Sequence, residues 1–196
     1  MFAAGLMRSV SASWNVLMQH FPHGVALPTG ASAEAICLAE EQLGITLPAD
    51  LQELYLTHNG TGTAFFYSVN STRHSHRIYP IEAAIGTYGI WATLRKGLED
   101  ERRRLGAPSM PETSWWKKDW LPITANHGLD GIFVDLSSDL YGQVCQVTNC
   151  CTAGINVEIL ASDCRTWLDE LACQLLSGQC KFDSPCPTLS SGPLWQ

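Results

Sequence analysis

Nucleophiles and metal ligands are the first residues to weigh in this chain, which carries cysteines at 37, 145, 150, 151, 164, 173, 180 and 186 together with six histidines. No C-x-x-C pair occurs, and no pair of cysteines is followed by histidines at finger spacing, so a structural zinc site is not expected. Cys37, Cys164 and Cys173 fall in helical segments, where a cysteine is expected to serve as a small buried hydrophobe. Cys180 and Cys186 lie near the end and could pair with each other if oxidised. A thiol nucleophile would join Cys150 or Cys151, in a polar stretch, to His127. A loop thiol keeps a pKa of about 8.5 unless a base or cation lowers it, and no such group stands nearby in sequence. His74 and His76 alternate as residues on one strand face do, but two ligands without a third make a poor metal site, and a solvated loop is expected there. A glycine-rich phosphate loop, a G-x-S-x-G elbow and an H-E-x-x-H helix are all missing. No catalytic residue, metal or cofactor is assigned on these grounds, and binding is favoured over turnover.

Charge narrows the class of partner. The net charge of −7 repels phosphate backbones, and nucleic-acid binding would need a basic stripe. The densest basic run, Arg102-Arg103-Arg104, directly follows Glu99, Asp100 and Glu101, a pattern that fits an ion-paired helix surface. A basic protein is the natural complement, with acidity that simply keeps a cytoplasmic protein soluble as the alternative. Aromatic anchors with acids beside them in irregular segments are the best candidates for contact: Glu112, Trp115 and Asp119 ahead of Trp120, with Asp130 and Asp139 in turns between strands. Trp115 is the exposed candidate because it cannot be buried on the same side as its neighbour Trp116. Trp120 is expected in the core.

These residues must be held by regular elements, and the clearest pair runs from Ser32 to Gly60. Ser32 is a good N-cap, Ala35, Ile36, Ala39 and Leu43 recur at helical spacing, and Gly44 ends the turn. Pro48 opens the second helix as its first residue with Leu47 as the cap, Leu51, Leu54 and Tyr55 share a face, and Asn59-Gly60 stops it. Upstream, Trp14, Leu17, Met18 and Phe21 make an amphipathic helix over 10–21. Downstream, the sequence predicts a strand at 63–69, a polar loop around His74 and His76, and a short strand from Arg77 to Ile81. A helix over 82–105 follows, broken near Gly86 and with Ile90, Trp91, Leu94 and Leu98 on one side. Strands are predicted at 121–125, 132–136, 143–148 and 157–160, then a helix capped by Ser162 with Trp167, Leu168, Leu171 and Leu175 on its inner side.

Three blocks in this layout carry a resemblance. The phrase E-x-x-L-G-I-x-L-P-x-D-L-x-x-L-Y-x-x-x-N-G, Glu40 to Gly60, resembles the signature of the SUKH superfamily, the group named after Syd, a herpesviral family and the yeast cell-wall-assembly regulator. Trp116 to Ile123 with its W-x-x-x-W-x-P-I pattern, the Gly131–Asp135 strand and Gly142-Gln143-Val144 are similar to its second block. The stretch Ile159 to Ser162 leading to Trp167, Leu168 and Leu171 resembles its closing helix. The resemblance implies an α+β domain, a mainly antiparallel sheet flanked by helices, over 32–178, preceded by a helix and connector in 1–31 and followed by a weakly ordered tail in 179–196. Runs of strands and helices without alternating βαβ units agree with that class.

What the resemblance implies about function is occlusion of another protein. Bacterial members look mostly like immunity proteins of interbacterial competition, which neutralise a cognate toxin; fungal members are regulators or scaffolds. The expected partner is a basic toxin, a nuclease among the candidates, with a regulatory scaffold as the alternative and a small thiol enzyme as a third reading. No run reaches the roughly 18 apolar residues that a membrane helix needs. The first twelve residues have no basic cluster ahead of their short apolar part, so the cytoplasm is the expected compartment.

Overall fold

The structure, a computed structural model, describes residues 8–69, 71–109, 116–125, 131–148 and 156–183. Three helices come first: α1 (Val10–Gln19), α2 (Ala33–Leu43) and α3 (Ala49–Thr57). They are followed by β1 (Phe65–Ser68), β2 (Ser71–Ile78) and the long α4 (Ile81–Arg104). Then come β3 (Trp120–Pro122), β4 (Thr124–Ala125), β5 (Gly131–Asp135), β6 (Val144–Thr148), β7 (Asn156–Ala161), α5 (Cys164–Leu176) and β8 (Cys180–Asp183). The strands form two antiparallel sheets, ordered β4-β2-β1-β8 and β3-β5-β6-β7, so the domain is α+β as expected.

The segment expected as one strand over 121–125 serves both sheets. Trp120, Leu121 and Pro122 pair with Asp135, Val134 and Phe133, whereas Thr124 and Ala125 pair with Ile78 and Arg77. Ile123 is the joint: its N–H donates to the Ile132 carbonyl at 2.8 Å and its own carbonyl accepts from the Tyr79 N–H at 3.0 Å. Proline at 122 has no N–H to offer a ladder, which suits the end of a strand. Thr124 seals the corner, its hydroxyl accepting from the Ile132 N–H at 2.9 Å and bonding His76 Nδ1 at 3.0 Å.

A large core fills the space between α1, α2, α3, α5 and the inner sheet faces, with Trp14, Leu17, Leu51, Leu54, Tyr55, Ile78, Leu121, Val134 and Leu168 fully buried. Each such aliphatic side chain contributes about 2 kcal/mol by leaving water. The helix over 10–19 is part of this core, packed on α3 and α5. A smaller cluster, Trp116, Trp120, Phe133, Cys145 and Val147, lies on the other face of the second sheet under Tyr88, Trp91 and Ala92 of α4. Trp91 meets Phe133 edge-on with centroids 6.2 Å apart, and Tyr88 meets Trp116 at 5.3 Å.

Several boundaries differ from expectation for identifiable reasons. Pro48 is the cap of α3, its carbonyl accepting the Gln52 N–H at 2.9 Å, so the helix begins one residue later. Helix α4 runs through Gly86 unbroken, because packing against α2 and β3 outweighs the roughly 1 kcal/mol that a helical glycine costs. Of the four residues expected on one side, Ile90, Leu94 and Leu98 are exposed and Trp91 turns inward. His74 and His76 belong to β2, and His76 is buried. The residues Cys180–Asp183, assigned to a weakly ordered tail, pair with β1 in register from Ser68↔Cys180 to Phe65↔Asp183.

Helix α5 is capped by Asp163, whose Oδ1 accepts the Thr166 N–H at 2.7 Å; Ser162, the residue expected as cap, instead donates its hydroxyl to Asp163 Oδ2 at 2.8 Å. Partial burial alone would push the Asp163 carboxyl up, but these donors and Arg165 outweigh it and hold the group below its ordinary 3.8. A lowered native pKa means that the folded state binds fewer protons than the unfolded chain, so this stabilisation is complete above pH 3.8 and declines as pH falls through the native value. Asp163→Ala is therefore expected to cost about 1 kcal/mol at pH 7 in urea unfolding, with the gap from wild type closing below pH 3.8.

Candidate partner-binding surface

Several charged and polar residues of the signature blocks are engaged within the fold. Glu40 Oε1 accepts from the Leu47 N–H at 2.8 Å and from Gln52 Nε2 at 3.0 Å, which fastens the α2–α3 connection. Gly44 ends α2 at φ 68°, the left-handed conformation its position required. Asp50 reaches across to the start of α5, accepting from the Cys164 and Arg165 N–H groups. Asn59, expected only to stop α3, caps a different helix: its Oδ1 accepts the Ile81 N–H at 2.8 Å and its amide donates to Glu82 at 3.1 Å. Gly60 has φ 86°, and a Cβ there would sit 2.7 Å from the Ile78 carbonyl oxygen.

Asp135 does the same work in the second sheet. It is 3% exposed, accepts the Trp120 indole N–H on Oδ2 at 2.9 Å, and accepts the Ser137 N–H and hydroxyl on Oδ1 at 2.9 and 2.5 Å. Its backbone closes the turn that follows, with the Gly142 N–H on its carbonyl at 2.8 Å. That turn rests on the α2–α3 connection: the Tyr141 hydroxyl donates to the Thr46 carbonyl, and Pro48 lies against Gly142. Burial raises the Tyr141 phenol above its usual pKa, and Glu40 and Asp50 add to the effect.

The result is a rigid, outward-facing turn. Asp139, Leu140 and Tyr141 are all exposed on it, the last two by 41% and 43%. Asp119 joins them at its base, since the Leu136 N–H donates to the Asp119 carbonyl at 2.7 Å. Two of the predicted contact residues, Asp119 and Asp139, are thus brought to one end of the second sheet. Glu112, Trp115 and Asp130 lie outside the described residues. Sequence reasoning missed Leu140 and Tyr141; their signal was an aromatic and an aliphatic residue side by side in a turn that also holds an acid.

The expected roles of the cysteines divide. Cys164 is buried as anticipated, but Cys37 and Cys173 are exposed on the outer faces of α2 and α5. Cys180 is a buried free thiol in β8. Burial pushes the Cys145 thiol up to about 12 and the Cys180 thiol to about 11, and raises Cys164 further, so none of these three is a ready nucleophile. Cys150, Cys151, Cys186 and His127 lie outside the described residues. Among the described residues no group of three or more His, Cys, Asp and Glu side chains is placed to hold a metal ion.

Two outcomes follow from these contacts. Asp135→Ala strands the buried Trp120 N–H and frees the turn, and is expected to cost about 3 kcal/mol in chemical denaturation. With iodoacetamide at pH 8, peptide mass mapping of the native chain is expected to find label on Cys37 and Cys173 within minutes, while Cys145, Cys164 and Cys180 react only on unfolding.

Together these contacts define an α+β domain whose signature residues tie helices to sheets and whose Asp139–Tyr141 turn is exposed. The chain belongs to the SMI1 / KNR4 family (SUKH-1), whose model matches residues 30–170. A comparison with curated proteins returns no match. Among the described residues no helix is long and apolar enough to cross a membrane.

Proposed function

We propose that this chain is a cytoplasmic immunity protein that neutralises a cognate basic toxin, a nuclease being the best-fitting class, by covering its active cleft, and that it catalyses no reaction itself. The observation that carries this reading is the preformed turn at Asp139, Leu140 and Tyr141, braced from behind by Asp135 and Thr46. An interface gains affinity when its contact residues are ordered before binding, because less conformational freedom is lost. Family membership supports a protein partner, and a net charge of −7 suits a basic one. A standard interface of about 1,600 Å² would be enough to close a catalytic cleft, with acidic side chains standing where a nucleic acid's phosphates would lie. Attraction between the opposite charges would speed encounter by 10- to 1,000-fold at low salt, roughly.

Co-expression with the product of the adjacent gene provides the test. The expected result is restored growth of cells that the toxin alone kills, with a complex recovered on purification. Asp139→Lys combined with Leu140→Ala is expected to weaken that complex at least about tenfold, measured by calorimetry, without lowering the melting temperature. Growth that stays arrested in the presence of the folded chain would refute the reading.

A further inference from the structure

A second feature lies away from that turn. Between α5 and the two sheets is a cleft of about 260 Å³ lined by Phe66 and His76 of the first sheet, Gln146 of the second, and Trp167, Glu170 and Gln174 of α5, among others. Its volume exceeds the roughly 150 Å³ of an engineered cavity that takes benzene, so a small organic group fits. The three α5 residues, with Leu171, recur at i, i+3, i+4 and i+7, which makes one helix face half core and half receptor. Phe66 and Trp167 form its aromatic side, with ring centroids 6.4 Å apart, and His76 stands 5.9 Å from Phe66.

The polar groups here differ from the acids of the signature blocks. Neither the Glu170 carboxylate nor the side-chain amides of Gln146 and Gln174 make a hydrogen bond or ion pair with any other described residue. The neighbouring acid Asp169 is already matched, by Arg8 at 2.6 Å. Among the described residues, no lysine or arginine lines the cleft. Partial burial and the adjacent Asp169 raise the Glu170 carboxyl above its usual pKa, the condition of an acid short of a counter-charge.

We infer that this cleft binds a guanidinium or alkylammonium group, held between the Glu170 carboxylate and the faces of Trp167 and Phe66, with Gln146 and Gln174 as hydrogen-bond partners. A cation over an indole face gains from the ring quadrupole, and an acceptor on its open side supplies the charge-assisted bond. A planar guanidinium, with five donors in a fixed fork, matches the spread of acceptors best. The cation could be a free small molecule or an arginine side chain of a protein partner; the second source rests on the function proposed above, and the first does not.

Nuclear magnetic resonance on the full ¹⁵N-labelled chain separates these cases. Titration with n-butylguanidinium is expected to shift the Trp167 indole and the Gln146 and Gln174 side-chain resonances saturably, and n-butyrate is expected to leave them in place. Glu170→Gln, a rim substitution that leaves the core intact, is expected to weaken binding about tenfold with an unchanged melting temperature. Nα-acetylarginine amide binding as well as n-butylguanidinium would assign the cleft to a protein side chain, and binding of n-butylguanidinium alone would assign it to a free cation. Absence of saturable shifts with either cation, or equal binding by Glu170→Gln, would overturn the inference. A toxin complex that forms undiminished with Glu170→Gln would remove the side-chain assignment while leaving the immunity reading intact.

Discussion

Everything in this fold hangs on the two backbone hydrogen bonds that Ile123 makes in opposite directions. Its N–H holds the β5 side and its carbonyl holds the segment leaving β2, so six consecutive residues, Trp120 to Ala125, stitch one sheet to the other. Thr124 adds a hydroxyl that meets both Ile132 and His76, again one partner from each sheet. Because these groups are buried, leaving any of them unmatched would cost about as much as the hydrogen bond is worth in a dry interior. The angle between the sheets is fixed there, and that angle sets the space into which α5 packs and beside which the cleft at Trp167 opens.

Acidic side chains are used in two ways in this molecule. Glu40, Asp50, Asp135 and Asp163 each satisfy backbone N–H groups or an indole at a joint between elements, where a carboxylate with two oxygens can serve two donors at once. Asp139 and Glu170 satisfy little or nothing internally and face outward. An acidic composition is therefore a poor guide to the surface field on its own. What matters is how many of those charges remain uncommitted after the chain has folded.

Much of this architecture is written locally and could be read there. Ser32, Gly44 and the apolar spacing of α2 name their own roles, because a cap and a left-handed glycine act within one turn. The α5 pattern was equally plain from Trp167 to Leu175, although Asp163 displaced Ser162 as the cap, a competition between adjacent residues of similar chemistry. What could not be read was decided at a distance. Asn59 caps a helix that starts 22 residues later, Asp50 reaches the start of α5, and Cys180–Asp183 find β1, a strand far upstream of them. Of the contact residues inferred from the sequence, Asp119 lies at the same end of the second sheet as the turn that holds Asp139, its carbonyl bonded by the Leu136 amide, a placement no spacing rule would reveal.

The pairing of β8 with β1 also governs when the molecule can exist. During synthesis the first sheet has a vacant edge at Phe65–Ser68 until β8 has left the ribosome, so over that interval the nascent chain carries an open row of backbone donors and acceptors. Closing so long a loop is entropically slow, and the edge is covered only when β8 returns to a strand made long before it.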